Sequence, residues 1–131
     1  MSVSNEHCIL WIEEGVLFGI YKEKPIDVDG AKSVVTLRKS VQNGDSHPAV
    51  IDIRNMTKVT KEARAYLASQ EACDGIMKVA IIIDSNFSMV LGNIYLKINR
   101  PPVPSKLFTS LHEAKAWIKS TSKETSLKMY L

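Results

Sequence analysis

The sequence predicts a single α/β domain in which one mixed β-sheet is flanked by helices in the order ββαβαβαβα. Three observations carry that expectation. The apolar runs CILWIEE (8–14) and VLFGIYK (16–22) meet at Gly15, as in a tight antiparallel hairpin. Downstream, runs rich in β-branched residues alternate with segments of helical spacing, the pattern of parallel strands joined by crossover helices. KVAIIID (78–84) is nearly all apolar, the mark of a strand covered on both faces.

Each element has a local signature. After Pro25, the segment IDVDGAKSVVTLRKSVQNG places Ala31, Val34, Leu37 or Arg38, and Val41 on one stripe and stops at Asn43-Gly44, an ordinary helix ending. AVIDIR (49–54) reads as a strand, and Thr60 opens a second helix with Ala63, Tyr66 and Leu67 inward. In NFSMVLGNIYLKI (86–98), Phe87, Val90, Leu91, Ile94 and Ile98 keep helical spacing on one side, while Met89, Tyr95 and Leu96 make the opposite side apolar too. Such a helix has to be covered twice, by its own sheet and by a loop, a ligand or a second copy of the chain. Gly92 within it points to a close approach of backbone or ligand. Arg100-Pro101-Pro102-Val103-Pro104 cannot continue the helix and is expected to run extended. KLFTS (106–110) is a last short strand, and Ser110-x-x-Glu113 forms a capping box for a helix with Leu111, Ala114, Trp117 and Ile118 inward. The expected core spans about residues 7–120, with 121–131 a loose tail.

The composition is that of an ordinary soluble protein, 45% hydrophobic and 24% charged. No stretch approaches the ~20 apolar residues of a membrane span, and the N-terminus lacks the basic and long apolar segments of a secretory leader, so a cytoplasmic location is expected. Cys8 and Cys73 have no Cys or His at metal-ligand spacing and read as reduced packing thiols. Net charge is +3, concentrated at the end: residues 97–131 hold 7 Lys/Arg against 2 Asp/Glu. No aromatic residues alternate with the basic ones, so nucleic acid is not an expected partner.

In open α/β sheets, binding and reactive residues gather beyond the C-terminal ends of parallel strands. Those ends carry Arg54, Asn55, Asp84, Ser85 and Asn86, of which the last three read as helix caps. Asp52 reads as a hydrogen-bonded structural acid. His7, His47 and His112 share no element or spacing, and no nucleophile elbow, HExxH, phosphate loop or dinucleotide motif occurs. No catalytic residue, metal ligand or cofactor is therefore expected, and enzyme is the minority reading.

From Pro25 to Leu67 the sequence resembles the STAS domain of anti-sigma-factor antagonists: a helix, a strand ending in a buried aspartate, a polar bend, and a further helix. The closing segment KLFTSLHEAKAWI is similar to the ending of the SpoIIAA-like branch, which is related to SEC14-type lipid-binding domains. The resemblance implies a SpoIIAA-like fold and a small bacterial regulatory module. Asp52 matches the strand aspartate, and Met56 and Val59 match the apolar positions of the bend. Thr60 falls on the aspartate of the Asp-Ser-Ser-Gly motif, Lys61 on its first serine, Glu62 on the phosphorylated serine and Ala63 on the glycine. The acceptor serine is absent, which implies loss of the phosphoswitch or a permanent imitation of its charged state. The helix start would favour a phosphate on Thr57 or Thr60 electrostatically.

Two functions are thus expected. The first is a non-enzymatic regulatory or protein-interaction module that binds a protein partner through a bend formed by Asn55, Thr57, Lys58, Thr60, Lys61 and Glu62. A homodimer through helix 86–98 is a further form of this reading. The second is a SEC14-like carrier of a lipid or small apolar ligand, with a cleft lined by Phe87, Met89, Leu91 and Tyr95.

Overall fold

The computed structural model describes residues 1–120; the expected loose tail, 121–131, lies outside them. Six strands form one sheet whose spatial order equals their order in the chain. They are β1 (Ser2–Ser4), β2 (Cys8–Glu13), β3 (Val16–Tyr21), β4 (His47–Asp52), β5 (Ile76–Ile82) and β6 (Ser105–Phe108). The first three are antiparallel, and β3 to β6 run parallel. The mixed sheet is the one the sequence predicts, with β1 added at its edge. That strand has one apolar residue, Val3, opposite Leu10, too little for any periodicity to show.

The β2–β3 hairpin turns on Glu14 and Gly15, both at positive φ (51° and 77°), the backbone of a two-residue turn whose twist suits the flanking strands. Helix α1 (Val28–Gln42) starts at Asp27, whose carboxylate accepts the Gly30 N–H at 2.8 Å. It stops at Asn43 and Gly44, at φ 49° and 89°, as predicted. The second crossover holds two short helices, α2 (Lys61–Leu67) and α3 (Gln70–Cys73), separated at Ala68–Ser69. The third holds α4 (Asn86–Ile94), continued by a π-helical turn over Tyr95–Asn99, and α5 (Leu111–Lys119) closes the described chain.

Four parallel strands in sequential order leave only one side for their right-handed crossovers. Accordingly Leu10, Leu17, Ala49, Val79 and Ile81 on one face of the sheet pack with Val34 of α1, Ala63 of α2 and Leu91 of α4. Among the described residues the alternate Phe18, Val50, Ala80 and Ile82 meet α5, through Ala114 and Ile118. Here Trp11 stacks on Phe18 with ring centroids 5.4 Å apart, and Lys78 lies over Trp117 while donating to its carbonyl at 2.8 Å.

Inward positions expected on α4 and α5 are corrected. Leu111, the first residue of α5, is 46% exposed. On α1, of the alternatives Leu37 and Arg38 it is Arg38 that is buried, with Gln42, while Leu37 and Val41 are half-buried. On α4, Phe87, Val90 and Ile98 face out, while Ser88, Leu91 and Gly92 are buried. A methyl group on Gly92 would stand 2.9 Å from Leu107 and 3.4 Å from Ile83, so the missing side chain is what lets α4 lie against β5 and β6. The π turn then adds a residue to the helical repeat and carries Ile98 outward. The Ser110–Glu113 box is half formed: Ser110 Oγ accepts the Glu113 N–H at 3.3 Å. Residues 100–104 form a connection whose first residue, Arg100, sits at φ 50°.

Gly30 offers a test of this packing. A Cβ there would lie 2.9–3.0 Å from the buried His7 ring and 3.0 Å from Ile26. Gly30→Ala should therefore lower stability, since overpacking of about 1–3 kcal/mol outweighs a helix-propensity gain of about 1 kcal/mol. Urea unfolding checks this; a more stable variant would refute the close contact.

Candidate functional site

The strand-to-bend junction after β4 is held by backbone and side chain together. Ile53 N–H donates to Ile82 O at 3.1 Å, extending the parallel ladder by one residue. Asp52 then accepts from Arg54 three times, from its backbone N–H at 2.9 Å, Nε at 3.0 Å and Nη2 at 2.8 Å. Asp52 is thus the structural acid expected. Met56, 6% exposed, anchors the bend from below. An isolated parallel bridge joins Ile26 to Val59: Ile26 N–H donates to Lys58 O at 2.9 Å and Thr60 N–H to Ile26 O at 3.1 Å. Thr60 Oγ1 accepts the Ala63 N–H at 3.1 Å and starts α2.

This arrangement turns the predicted residues to solvent on a fixed backbone. Asn55, Thr57, Lys58, Lys61 and Glu62 are exposed and Thr60 is half-buried. Glu62 occupies the first turn of α2, where the helix dipole favours its charge. Beside the bend lies a polar groove of about 520 Å³ lined by Lys24, Asp27, Ser33, Lys58 and Thr60 among others.

The second rim element, after β5, is built on a residue the sequence reading passed over. Ser88 is fully buried: its Oγ accepts from Asp84 N–H at 3.0 Å and Ser85 N–H at 3.1 Å, while Ser85 Oγ accepts the Ser88 N–H at 3.2 Å. This is a capping box, and the Ser85-x-x-Ser88 spacing was its signal. It fixes the rotation of α4, leaving Phe87, Met89, Val90 and Ile98 between 43% and 72% exposed along its outer side.

Beneath the crossover helices lies an apolar cavity of about 150 Å³. Its walls include Leu10 and Val79 of the sheet, Val34 of α1, and Leu91 and Tyr95 of the α4 segment. Of the four residues expected to form a cleft, Leu91 and Tyr95 line it; Phe87 and Met89 are on the opposite side of the helix. Tyr95 donates its hydroxyl to Leu67 O at 2.8 Å, tying the π turn to the end of α2. The polar part of the wall includes Arg38, Arg64, Cys8 and Cys73. Arg38 is 6% exposed, and burial disfavours its cation, yet guanidinium keeps its proton. Burial pushes the Cys8 thiol from 9.0 to about 11 and raises Cys73 as well.

Among the described residues no helix is long and apolar enough to cross a membrane. No curated protein matches the sequence. An uncharacterised protein of the DUF3478 family with a SpoIIAA-like fold, from Shewanella loihica PV-4, superposes with a TM-score of 0.62 at 17% identity, covering 88% of this chain and 98% of that one. The fold is therefore SpoIIAA-like, as the resemblance implied. A protein of unknown function from Arthrobacter sp. FB24 is 25% identical over 86% of this chain and 99% of its own, but with a TM-score of 0.33. Residues 10–122 match the model of a domain of unknown function, DUF7793, and the chain belongs to that family.

Two outcomes follow from this geometry. Thr60→Ala should cost about 0.5–2 kcal/mol through loss of the α2 cap, read by urea unfolding, and no change would mean that the cap carries nothing. The Cys8 thiol is neutral in the folded protein and its value is raised, so its contribution is complete below pH 9.0 and is lost as pH rises toward about 11. Unfolding midpoints measured across that range should fall less steeply for Cys8→Ala than for the parent; equal slopes would contradict the assignment.

Proposed function

We propose that this DUF7793 member is a small non-enzymatic regulatory module that docks a protein partner on the rim formed by the bend at residues 55–62 and the outer side of α4. The observation that carries the reading is the outward row Phe87, Met89, Val90 and Ile98, on a helix whose rotation is fixed from within by Ser88 and Gly92. Exposed apolar side chains grouped on one element favour association. The neighbouring bend adds Lys58, Lys61 and Glu62 for electrostatic selection of the partner. The non-enzymatic part is supported by how the strand-end polar groups are used: Asp52 holds Arg54, while Thr60, Ser85 and Ser110 each accept a helix N–H. With Glu62 where the resemblance to STAS domains puts their phosphorylated serine, the module would act without that switch. Pairing of two copies through α4 is one form of the same docking.

A second reading, a carrier of a small apolar ligand, is favoured by the cavity beneath the crossovers. It calls for a pocket between sheet and helices, and that is where the cavity lies.

The docking reading is tested by sedimentation equilibrium and by affinity capture with the parent and with Thr60→Arg, Glu62→Lys and Phe87→Glu, each variant first checked for native circular dichroism. The expected result is a self-association or a specific partner lost in at least one folded variant. A chain that stays monomeric and retains no partner sensitive to these changes would defeat the reading.

A further inference from the structure

We infer that the cavity between the sheet and α1–α4 binds a compact organic monoanion, its acidic head at Arg38 and its apolar body among Leu10, Val34, Val79 and Leu91. The inference deepens the second reading above and rests on it.

The argument starts from the cost of burying a cation. A guanidinium taken out of water is expensive unless an anion or a full set of acceptors replaces its hydration. Arg38 is 6% exposed and lines the cavity wall. Its guanidinium carries five N–H donors. Nη1 donates to Gln42 Oε1 at 3.0 Å and Nη2 to Ala72 O at 2.7 Å, both neutral acceptors. Among the described residues the ion pairs join Glu6 to His7 and Lys24, Lys39 to Asp74, and Arg54 to Asp52; Arg38 belongs to none. The bond to Gln42 lies within α1 and the bond to Ala72 O ties α1 to α3, and together they hold the fork in place.

A second, independent observation points the same way. Arg64 lines the same cavity, and its Nε is buried with no hydrogen-bond partner among the described residues, the residue's Nη1 reaching Val59 O only at 3.5 Å. Two arginines line this cavity, neither has a carboxylate partner among the described residues, and a ligand with a single anionic end would supply one. Size limits the rest of it: a cavity of about 150 Å³ holds a benzene-sized body, far smaller than a membrane lipid. An arginine fork suits a planar carboxylate better than a compact ammonium would.

The test is NMR titration of the full chain with hexanoate and benzoate, each against its neutral amide, hexanamide and benzamide. Saturable binding of at least one acid, about tenfold tighter than its amide, is expected, with the preference erased in Arg38→Met. Should Arg38→Met fail to fold, intermolecular NOEs in the parent decide: contacts from the ligand to Leu10, Val79 and Leu91 methyls support the site, and contacts to surface residues alone overturn it. Acid and amide binding equally well in the cavity would overturn the anionic inference while leaving the carrier reading intact. If none of the four binds, both fall.

Discussion

The strand order constrains nearly everything else. Four parallel strands laid down in sequence send three crossovers over one face of the sheet, and among the described residues α5 covers the other. The crowded face is roofed by one long helix and several short pieces, since α2 has 7 residues, α3 has 4 and α4 has 9 before its π turn. Several short helices do not fill the space beneath them as one long helix would. The cavity lies under their junction, and the bond from Tyr95 to Leu67 O closes part of the gap between the second and third crossovers.

The same order decides what the surface offers. All four parallel strands end at one rim, so the bend after β4 and the capped start of α4 face the same solvent. Rigidity there comes from the backbone, through the Ile26–Val59 bridge and the Asp52–Arg54 fork, which frees Asn55, Thr57, Lys58, Lys61 and Glu62 from structural duty. A fixed frame with uncommitted side chains lowers the ordering cost of docking. The price of that freedom on α4 is an apolar outer row that solvent alone covers poorly.

The sheet was legible in the sequence because its signals are local and redundant. Gly15 marked the hairpin, Asn43-Gly44 ended α1, Thr60 opened α2, and the apolar run at 78–84 announced a strand buried on both faces. What escaped depended on contacts between distant residues. Periodicity alone could not tell which apolar side of α4 faced inward; Leu107 against Gly92 and the Ser85–Ser88 box settled it, and both act against the stripe Phe87–Val90–Ile98. β1 was too short to carry a pattern. Arg38 shared a stripe with Val34 and looked like an alternative to Leu37, and only the fold shows it buried beside Cys73 and Ala72 on one cavity wall.

Which side of α4 meets water bears on the docking surface and on the cavity together. Solvent paramagnetic relaxation with an inert gadolinium chelate, read on side-chain methyl and aromatic signals of the unmodified chain, measures it directly. Strong relaxation of Phe87, Met89, Val90 and Ile98 with protection of Leu91 and Tyr95 is the predicted pattern. Protected Phe87 and Val90 with relaxed Leu91 and Tyr95 would contradict it, removing the outward row and opening the cavity wall at once.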